Sequence, residues 1–402
     1  MSAPGGQVPE HLLRDLTPQV LGVLVRRGVD FAAAEDAVQE ALVEAVRRWP
    51  ESGVPDDPKG WLVTVAWRKH VDVVRSEAAR RTREEKVSAE PPPGTAERSD
   101  DTLLLLSRCC HPALTAASAI ALTLRAVGGL TTAQIAHAFL VPEPTMAQRI
   151  SRARRTVAEQ TRAGVGFDIP GDVTAVLRVL YLMFDAGFSG KGAAGPDDID
   201  PAAEAIRLTR QLLASVPDDC EVAGLLALML LHHARRPARW RAPGELVPLD
   251  EQDRGLWDTR LVAEGVEILQ RALARDRLGP YQAQAAIAAL HDDARTADET
   301  DWPQILDWYD ELVRLTPGDA VVALNRAVAV GHVDGARAGL AELHRLDPAL
   351  PRYDAVGAHL HELAGETETA ARLFVTAADA ATSTPERTHL LRQAARLRSR
   401  TG

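Results

Sequence analysis

Apolar and polar positions alternate at helical spacing in the middle of the chain, between residues 130 and 157. Four apolar residues recur at the i, i+4, i+7 and i+11 positions of one helix face: Met146, Ile150, Ala153 and Val157. Before them, Thr131 and Gln134 fit a capping box that starts another short helix. The letters LVPE then supply a turn. The pattern predicts two helices around a tight turn, the second beginning near Pro144.

Two further helices are predicted between residues 12 and 81. In the first, five apolar side chains line one face: Ala34, Val38, Ala41, Leu42 and Ala45. The second begins at Pro58 and is predicted to bury four side chains: Leu62, Val65, Ala66 and Val73. β-branched residues form no long alternating run anywhere in the sequence, so the predicted fold class is all-α.

Breaks in this pattern divide the chain into parts. The stretch VSAEPPPGTAERSD is rich in proline and poor in apolar residues, which is typical of a linker. Later helical patterns end at Pro217, Pro317 and Pro348, and predict a loose array of helix pairs similar to tetratricopeptide (TPR) repeats. The predicted parts are a helical segment at 8–86, the linker at 87–100, a second helical segment at 101–163, and a TPR-like α-solenoid at 172–402.

Charge is distributed unevenly along the sequence. The 402 residues carry a formal net charge of −10, which taken alone argues against a nucleic-acid partner. Residues 1–165 nevertheless hold 21 Lys and Arg against 20 Asp and Glu, while the remainder holds 25 against 36. Seven basic side chains fall within 67–86, and five arginines within 145–162. Two short basic strips in an acidic chain indicate contact with DNA at defined places.

Three helices carry candidate binding residues. On the helix after the turn, the early polar side chains could meet base edges and the later arginines could meet phosphates: Thr145, Gln148, Arg149, Arg152 and Arg155. The helix from Pro58 places an aromatic ring beside cations, as unpaired bases and phosphates require: Trp61, Arg68, Lys69 and Arg75. The helix of Ala34 has an acidic face: Asp36, Gln39, Glu40 and Glu44.

Each surface also has a simpler interpretation. The helix pair around the turn also fits an ordinary helical hairpin with a solvated basic face. On the helix from Pro58, Trp67 also fits a side chain buried against a neighbouring helix. The acidic face is equally typical of a solvated helix. It is a poor metal site, because no histidine stands at helical spacing to complete one.

The sequence resembles a known family at two places. AEDAVQEALVEAVRRW, followed by PKGWLVTVAWRKHVDVVR, resembles the second conserved region of the extracytoplasmic-function (ECF) sigma factors of bacterial RNA polymerase. GGLTTAQIAHAFLVPEPTMAQRISRARR resembles their fourth region, a helix-turn-helix. The remainder, including LYLMFDAGFSG and GPYQAQAAIAALH, is similar to the C-terminal extension of a sigma subgroup with TPR-like repeats.

The resemblance implies a function for each surface. The acidic helix would dock on the clamp helices of the polymerase β′ subunit through Asp36, Gln39 and Glu40, with Glu35 and Glu44 at the margin. The helix of Trp61, Arg68, Lys69 and Arg75 would hold the unpaired strand of the −10 element. The helix-turn-helix would sit at the β flap and read the −35 element through Thr145, Gln148 and Arg149, with Arg152 and Arg155 on phosphates. Ala147 departs from the long polar residue of many relatives, although alanine can contact a thymine methyl.

The C-terminal array is expected to modulate the sigma segment, either by itself or with an unknown regulatory protein. Two rival functions stay open. One is a ligand- or peptide-sensing helix-turn-helix regulator that acts without replacing sigma; the other is a scaffold whose array holds a protein partner.

The sequence shows no signature of an active site or a cofactor. It contains no P-loop, no Gly-x-Ser-x-Gly and no HExxH pattern, so we expect a protein that is not an enzyme and needs no cofactor or metal. Cys109 and Cys110 are expected to be buried small hydrophobic residues, and Cys220 lies far along the chain. Without a signal peptide or an 18-residue uncharged run, the chain is expected to be cytoplasmic and not bound to a membrane.

Overall fold

The computed structural model describes residues 10–81, 101–139, 141–162, 173–189, 200–241, 245–381 and 383–401. These residues form α-helices and one β-hairpin of two-residue strands, so the prediction of an all-α fold is confirmed. The chain divides into two compact units. The first contains Met1–Gly187 and Ala194–Ser215, and the second contains Phe188–Ala193 and Val216–Gly402.

Three helices open the first unit: α1 (Glu10–Arg26), α2 (Phe31–Ser52) and α3 (Pro58–Arg81). Asp30 begins α2 by accepting a hydrogen bond from the backbone N–H of Ala32, and α2 then packs along α1 and α3. The predicted apolar face of α2 is buried at Ala34, Val38, Ala41 and Ala45.

The predicted apolar face of α3 is only partly correct. Leu62 and Ala66 are buried as predicted, and Val65 is half-buried. Val73, however, is 56% exposed, and Val71 is the buried residue of that turn. Residue 73 has the same helical phase as Leu62 and Ala66, so its exposure shows that this side of α3 is not covered at that turn.

Four helices follow: α4 (Asp101–Cys109), α5 (Ala116–Ala126), α6 (Thr132–Ala138) and α7 (Glu143–Arg162). The predicted capping box starts α6, since Thr131 Oγ1 accepts from Gln134 N and Gln134 Oε1 accepts from Thr131 N. The turn is closed by a hydrogen bond from Val141 N to Ala136 O. Helix α7 packs against α5 and α6, so the predicted helix-turn-helix is present.

The first unit continues past residue 172, where the sequence pattern places the start of the C-terminal domain. It includes most of α8 (Thr174–Ser189) and all of α9 (Pro201–Ser215). Helix α9 contacts α4. At Gly187 the backbone of α8 meets the start of α9 so closely that a Cβ would lie 2.3 Å from Ala202 N. Glycine is therefore required at this crossing.

The second unit begins with helices and a hairpin around a buried Arg235: α10 (Cys220–Ala234), α11 (Arg236–Arg239), β1 (Trp240–Arg241) and β2 (Glu245–Leu246). The two strands are antiparallel, with Trp240 opposite Leu246. Three 3-10 turns lie nearby, at Leu249–Glu251, Arg254–Leu256 and Ala297–Glu299.

Eight helices complete the second unit: α12 (Thr259–Leu273), α13 (Pro280–Asp293), α14 (Trp302–Leu315), α15 (Ala320–Val333), α16 (Ala336–Leu343), α17 (Tyr353–Leu363), α18 (Thr367–Ala380) and α19 (Thr384–Thr401). From α12 onward each helix packs against the next in chain order. Aspartates begin four helices of the second unit, α10, α12, α14 and α15, by accepting backbone N–H bonds: Asp219, Asp258, Asp301 and Asp319. Short capped turns thus set one helix beside its neighbour.

Candidate nucleic-acid interface

Helix α7 presents its predicted DNA-reading side chains on one exposed face. Thr145, Gln148, Arg152 and Arg155 are exposed, and their spacing of three, four and three residues places them along one side of the helix. Arg149 is half-buried at the edge of this face. The opposite side carries the predicted stripe, all of it buried: Met146, Ile150, Ala153 and Val157. The core contacts of α7 therefore leave its polar face free for the major groove.

Helix α3 brings together three of its four predicted residues. Trp61, Arg68 and Arg75 are seven residues apart, so they follow one side of the helix, with both arginines exposed. Trp61 is half-buried and packs edge-on against the buried Trp49, with 5.4 Å between the ring centroids. This contact fixes the indole while leaving part of it accessible. A fixed ring beside two cations can stack a base and neutralise phosphates.

The fourth predicted residue of α3, Lys69, is turned toward α2. Its Nζ lies 3.5 Å from Glu40 Oε2, and the pair is open to solvent, with Lys69 half-buried and Glu40 exposed. An exposed pair at this distance contributes little to stability, about 0–1 kcal/mol. Lys69 thus links α3, the predicted DNA-binding helix, to α2, the predicted polymerase-binding helix, through a weak ion pair.

The start of α3 is set by Asp57. Its Oδ1 accepts a hydrogen bond of 2.9 Å from Gly60 N, which satisfies one free N–H of the first turn. The loop before it contains the predicted base-capture segment, and Asp56, Asp57 and Val54 are exposed there. The position of Trp61 therefore depends on this cap.

The acidic face of α2 is largely as predicted. Asp36 and Glu40 are exposed, whereas Gln39 and Glu44 are half-buried. Glu44 Oε1 also accepts from Arg48 Nε at 2.6 Å, a pair within the helix. Two carboxylates of this face, those of Asp36 and Glu40, therefore lie in solvent.

Two exposed valines on α2 were missed by the sequence reasoning. Val43 is 47% exposed and Val46 is 54% exposed. Val43 lies one turn after Glu40 and two turns after Asp36, so it shares their face. The signal was present in the sequence, because both valines stand off the buried Ala34–Ala45 stripe. An apolar centre between charges is typical of a protein-binding surface.

Glu35 does not belong to this face, so its assignment to the polymerase-binding surface is not met in this structure. It is only 3% exposed. Its Oε1 accepts a 2.9 Å bond from Arg125 Nε, and its Oε2 pairs with an Arg154 Nη2. The helical phase explains the burial, because Glu35 lies beside Phe31, Ala34 and Val38 on the inner side of α2.

The cysteine pair in α4 and after it is buried, as predicted. Burial raises the pKa of the Cys109 thiol well above its usual value and raises that of Cys110 to about 12, although a hydrogen bond with Thr123 acts in the opposite sense. Both thiols therefore stay protonated and unreactive at neutral pH. Among the described residues, no group of three or more His, Cys, Asp or Glu side chains is arranged to hold a metal.

None of the helices in the described ranges is long and apolar enough to cross a membrane.

The chain matches three protein families. Residues 12–80 match sigma-70 region 2, and residues 106–157 match sigma-70 region 4. Residues 172–273, the range from α8 to α12, match a family of unknown function (DUF6596). The two sigma matches cover α2, α6 and most of α3 and α7, the helices that carry the candidate surfaces.

Two relatives cover different shares of the chain. An uncharacterised protein of Rhizobium meliloti (strain 1021) is 41% identical over 361 residues, covering 84% of this chain and 82% of the relative. A probable ECF RNA polymerase sigma factor, SigI, of Mycobacterium tuberculosis (strain H37Rv) is 29% identical over 185 residues, 40% of this chain and 62% of the relative.

The matches to sigma-70 region 2 and region 4, in that order along the chain, indicate a transcription initiation factor of the sigma-70 class. These matches and the similarity to SigI support a sigma factor of the ECF type, and the chain carries a helical C-terminal extension.

Proposed function

We propose that this sigma factor docks on core RNA polymerase through the exposed face of α2 and directs initiation at promoters that it reads with α3 and α7. The observation that supports this proposal most directly is that α2, α3 and α7 each expose predicted polar binding residues while they bury most of their predicted apolar residues. Asp36 and Glu40 supply charge at the docking face, and Val43 supplies the apolar centre. The β′ clamp helices are the proposed partner of this face, and the β flap that of region 4.

Two different DNA surfaces support promoter reading by two separate modes. The Trp61, Arg68 and Arg75 side of α3 suits a separated strand, because stacking on the ring repays the cost of unstacking a base. The Thr145 to Arg155 side of α7 suits an intact major groove. A regulator that only binds duplex DNA would use the second surface and leave the first without a role.

The C-terminal extension is proposed to modulate this activity as a TPR-like array. Support comes from its charge, since residues 166–402 hold 36 acidic against 25 basic side chains. An acidic array can act on basic DNA-binding strips through the long-range field or can hold a regulatory protein. The Rhizobium meliloti relative aligns over 84% of this chain, so the sigma segment and much of the extension occur together in both proteins.

Binding to core polymerase tests the proposal. Asp36→Arg places a cation at the centre of the exposed docking face, where like charges across an interface cost several kcal/mol. We expect the affinity for purified core polymerase to fall at least tenfold, about 1.4 kcal/mol, in a fluorescence binding titration. Run-off transcription from a matched promoter should fall in parallel.

Glu51→Arg is the matched control, because it makes the same charge change at the exposed end of α2. It should bind core polymerase like the unmodified protein. Failure of the unmodified protein to bind core polymerase, together with binding of duplex DNA by itself, would instead favour the helix-turn-helix regulator.

A further inference from the structure

A carboxylate of region 2 is enclosed by two arginines of region 4. Glu35 on α2 is buried, and both of its oxygens meet guanidinium groups, from Arg125 on α5 and Arg154 on α7. Arg125 also donates from Nη1 to Leu130 O at 2.9 Å, directly before the cap of α6. The three side chains therefore tie α2 to the frame of the helix-turn-helix.

These ion pairs are of the kind whose breakage is costly. A buried charge needs its partner, because removal of one partner leaves an uncompensated charge in the protein interior. Salt screens such pairs far less than it screens exposed ones. Backbone contacts of α2 with α7, and of α1 with α4 and α5, accompany them. The ion pairs thus lie within an interface between regions 2 and 4.

This interface cannot persist while both regions are on promoter DNA. Elements centred near −10 and −35 are separated by about 25 base pairs, roughly 85 Å of duplex at about 3.4 Å per base pair. In the structure Glu35 of the docking helix contacts Arg154 of the DNA-reading helix directly. Regions 2 and 4 must therefore part before a single molecule can contact both elements.

The ion pairs of Glu35 do not cover the predicted DNA-reading face of α7. Arg154 lies between the buried stripe and the back of the helix, about half a turn from Thr145 and Arg152. Thr145, Gln148, Arg152 and Arg155 remain exposed. The contact consequently restrains the distance between the two modules and leaves the recognition surface itself intact.

We propose that Glu35, Arg125 and Arg154 form an ion-pair latch that holds regions 2 and 4 together in the free sigma factor and opens on polymerase. Only the statement that the latch opens on polymerase rests on the proposed function. Opening the latch releases region 4 and separates the Glu35 carboxylate from both arginines.

A distance measurement tests the latch without polymerase. Spin labels are attached at Arg47→Cys on α2 and Glu159→Cys on α7, both exposed positions, in the full chain. The native cysteines Cys109, Cys110 and Cys220 are buried, so they react poorly. We expect a single short distance for the latched protein. Arg154→Gln should shift the distribution to longer and broader distances, whereas Arg154→Lys, which keeps the charge, should retain more of the short distance.

Glu35→Gln breaks the same latch from the other side and guards against a local effect of Arg154→Gln on α7. Circular dichroism verifies that each variant is folded. Unchanged distances in both folded variants would overturn the latch. A shift in both would establish it, whatever the polymerase does.

Core binding then separates the latch from the proposed function. Because a closed population lowers apparent affinity by the fraction that is competent, Arg154→Gln should bind core polymerase several-fold more tightly. An open variant that binds no more tightly than the unmodified protein would overturn the inhibitory role. Absence of core binding by every form would refute the proposed function while the distance result still decides the latch.

Discussion

At the scale of single residues, the exposed face of α7 separates two kinds of DNA contact. Gln148 lies near the start of the helix and carries both a donor and an acceptor, which suit a base edge. Arg155 lies two turns later with a long cationic side chain, which suits a phosphate. Both are exposed, so neither is needed for the fold. Their replacement should alter recognition and leave stability nearly unchanged.

Gln148→Ala and Arg155→Ala should therefore differ in kind. Gln148→Ala should reduce discrimination against a mutated −35 element by about 1–3 kcal/mol, because a base-edge contact is lost. Arg155→Ala should weaken binding to all sequences and lower the slope of log affinity against log salt by about 0.9. The two effects are measured by titrating holoenzyme against the unmodified promoter and a promoter with a mutated −35 element, each at several salt concentrations.

The control for the loss of one positive charge is the replacement of an arginine that lies outside the DNA-reading face. Arg47→Ala on α2 loses the same charge from an exposed site outside the DNA face. Equal behaviour of Gln148→Ala and Arg155→Ala on the two promoters would contradict the division of labour along α7.

At the scale of elements, three histidines and a tryptophan join four helices of the second unit. The Trp302 ring of α14 stacks on His332 of α15 at 3.8 Å between centroids, with 2° between the planes. His332 Nε2 in turn lies 3.2 Å from His359 Nε2 on α17, so one neutral ring donates to the other. His291 of α13 meets the edge of Trp302. A stack of this kind requires uncharged imidazoles, because two cations at this distance would repel.

Acid should therefore weaken the second unit. Burial lowers the pKa of His291 and of His332 to about 4, and it lowers the pKa of His359 as well. Unfolded imidazoles take up protons near pH 6.5, before the folded ones do. Stability is thus full above about pH 6.5 and falls as the pH drops from there toward 4. Urea unfolding of the full chain from pH 7.5 to 4.5, followed by circular dichroism, should show the loss.

His332→Phe removes one titrating ring while keeping an aromatic surface for Trp302. It should make the decline of stability between pH 6.5 and 4.5 shallower. His344→Gln, at an exposed histidine of the same unit, should leave the decline as it was. Identical pH profiles for all three proteins would rule out the histidine stack as its source.

At the scale of the whole molecule, the family boundary and the packing boundary fall at different places. The match to the family of unknown function begins at residue 172, yet the first compact unit runs on to Ser215. Helix α9 contacts α4, and Glu204 approaches Gly128, where a Cβ would lie 3.1 Å from Glu204 Oε1. Glu204 is itself buried and held by two hydrogen bonds from Arg207. The start of the extension is thus part of the fold of region 4.

The position of a truncation should consequently decide its effect. A chain ending at Ser215 keeps α9 on α4 and should unfold in one cooperative transition. A chain ending at residue 171 uncovers the surface around α4 and Gly128, so we expect a lower melting temperature and aggregation. Differential scanning calorimetry and size-exclusion chromatography compare the two. Equal stability of both fragments would show that α8 and α9 contribute nothing to the first unit.

The longer fragment also reports on regulation. If residues 216–402 modulate the sigma segment, promoter-dependent transcription by the chain ending at Ser215 should differ from that of the full chain at equal core occupancy. Unchanged transcription would defeat the proposed regulatory role, and it would leave the sigma assignment standing.

The sequence by itself determined the helices, the capping box at Thr131 and Gln134, the buried stripe of α7, and the two sigma motifs. Each depends on residues within a few turns of one another, so helical periodicity is sufficient to predict it. Only the tertiary structure decided that Glu35 turns inward to Arg125 and Arg154, and that α9 belongs with α4. Those outcomes depend on side chains up to 119 positions apart in the sequence, whose meeting is set by long-range packing, which no local pattern encodes.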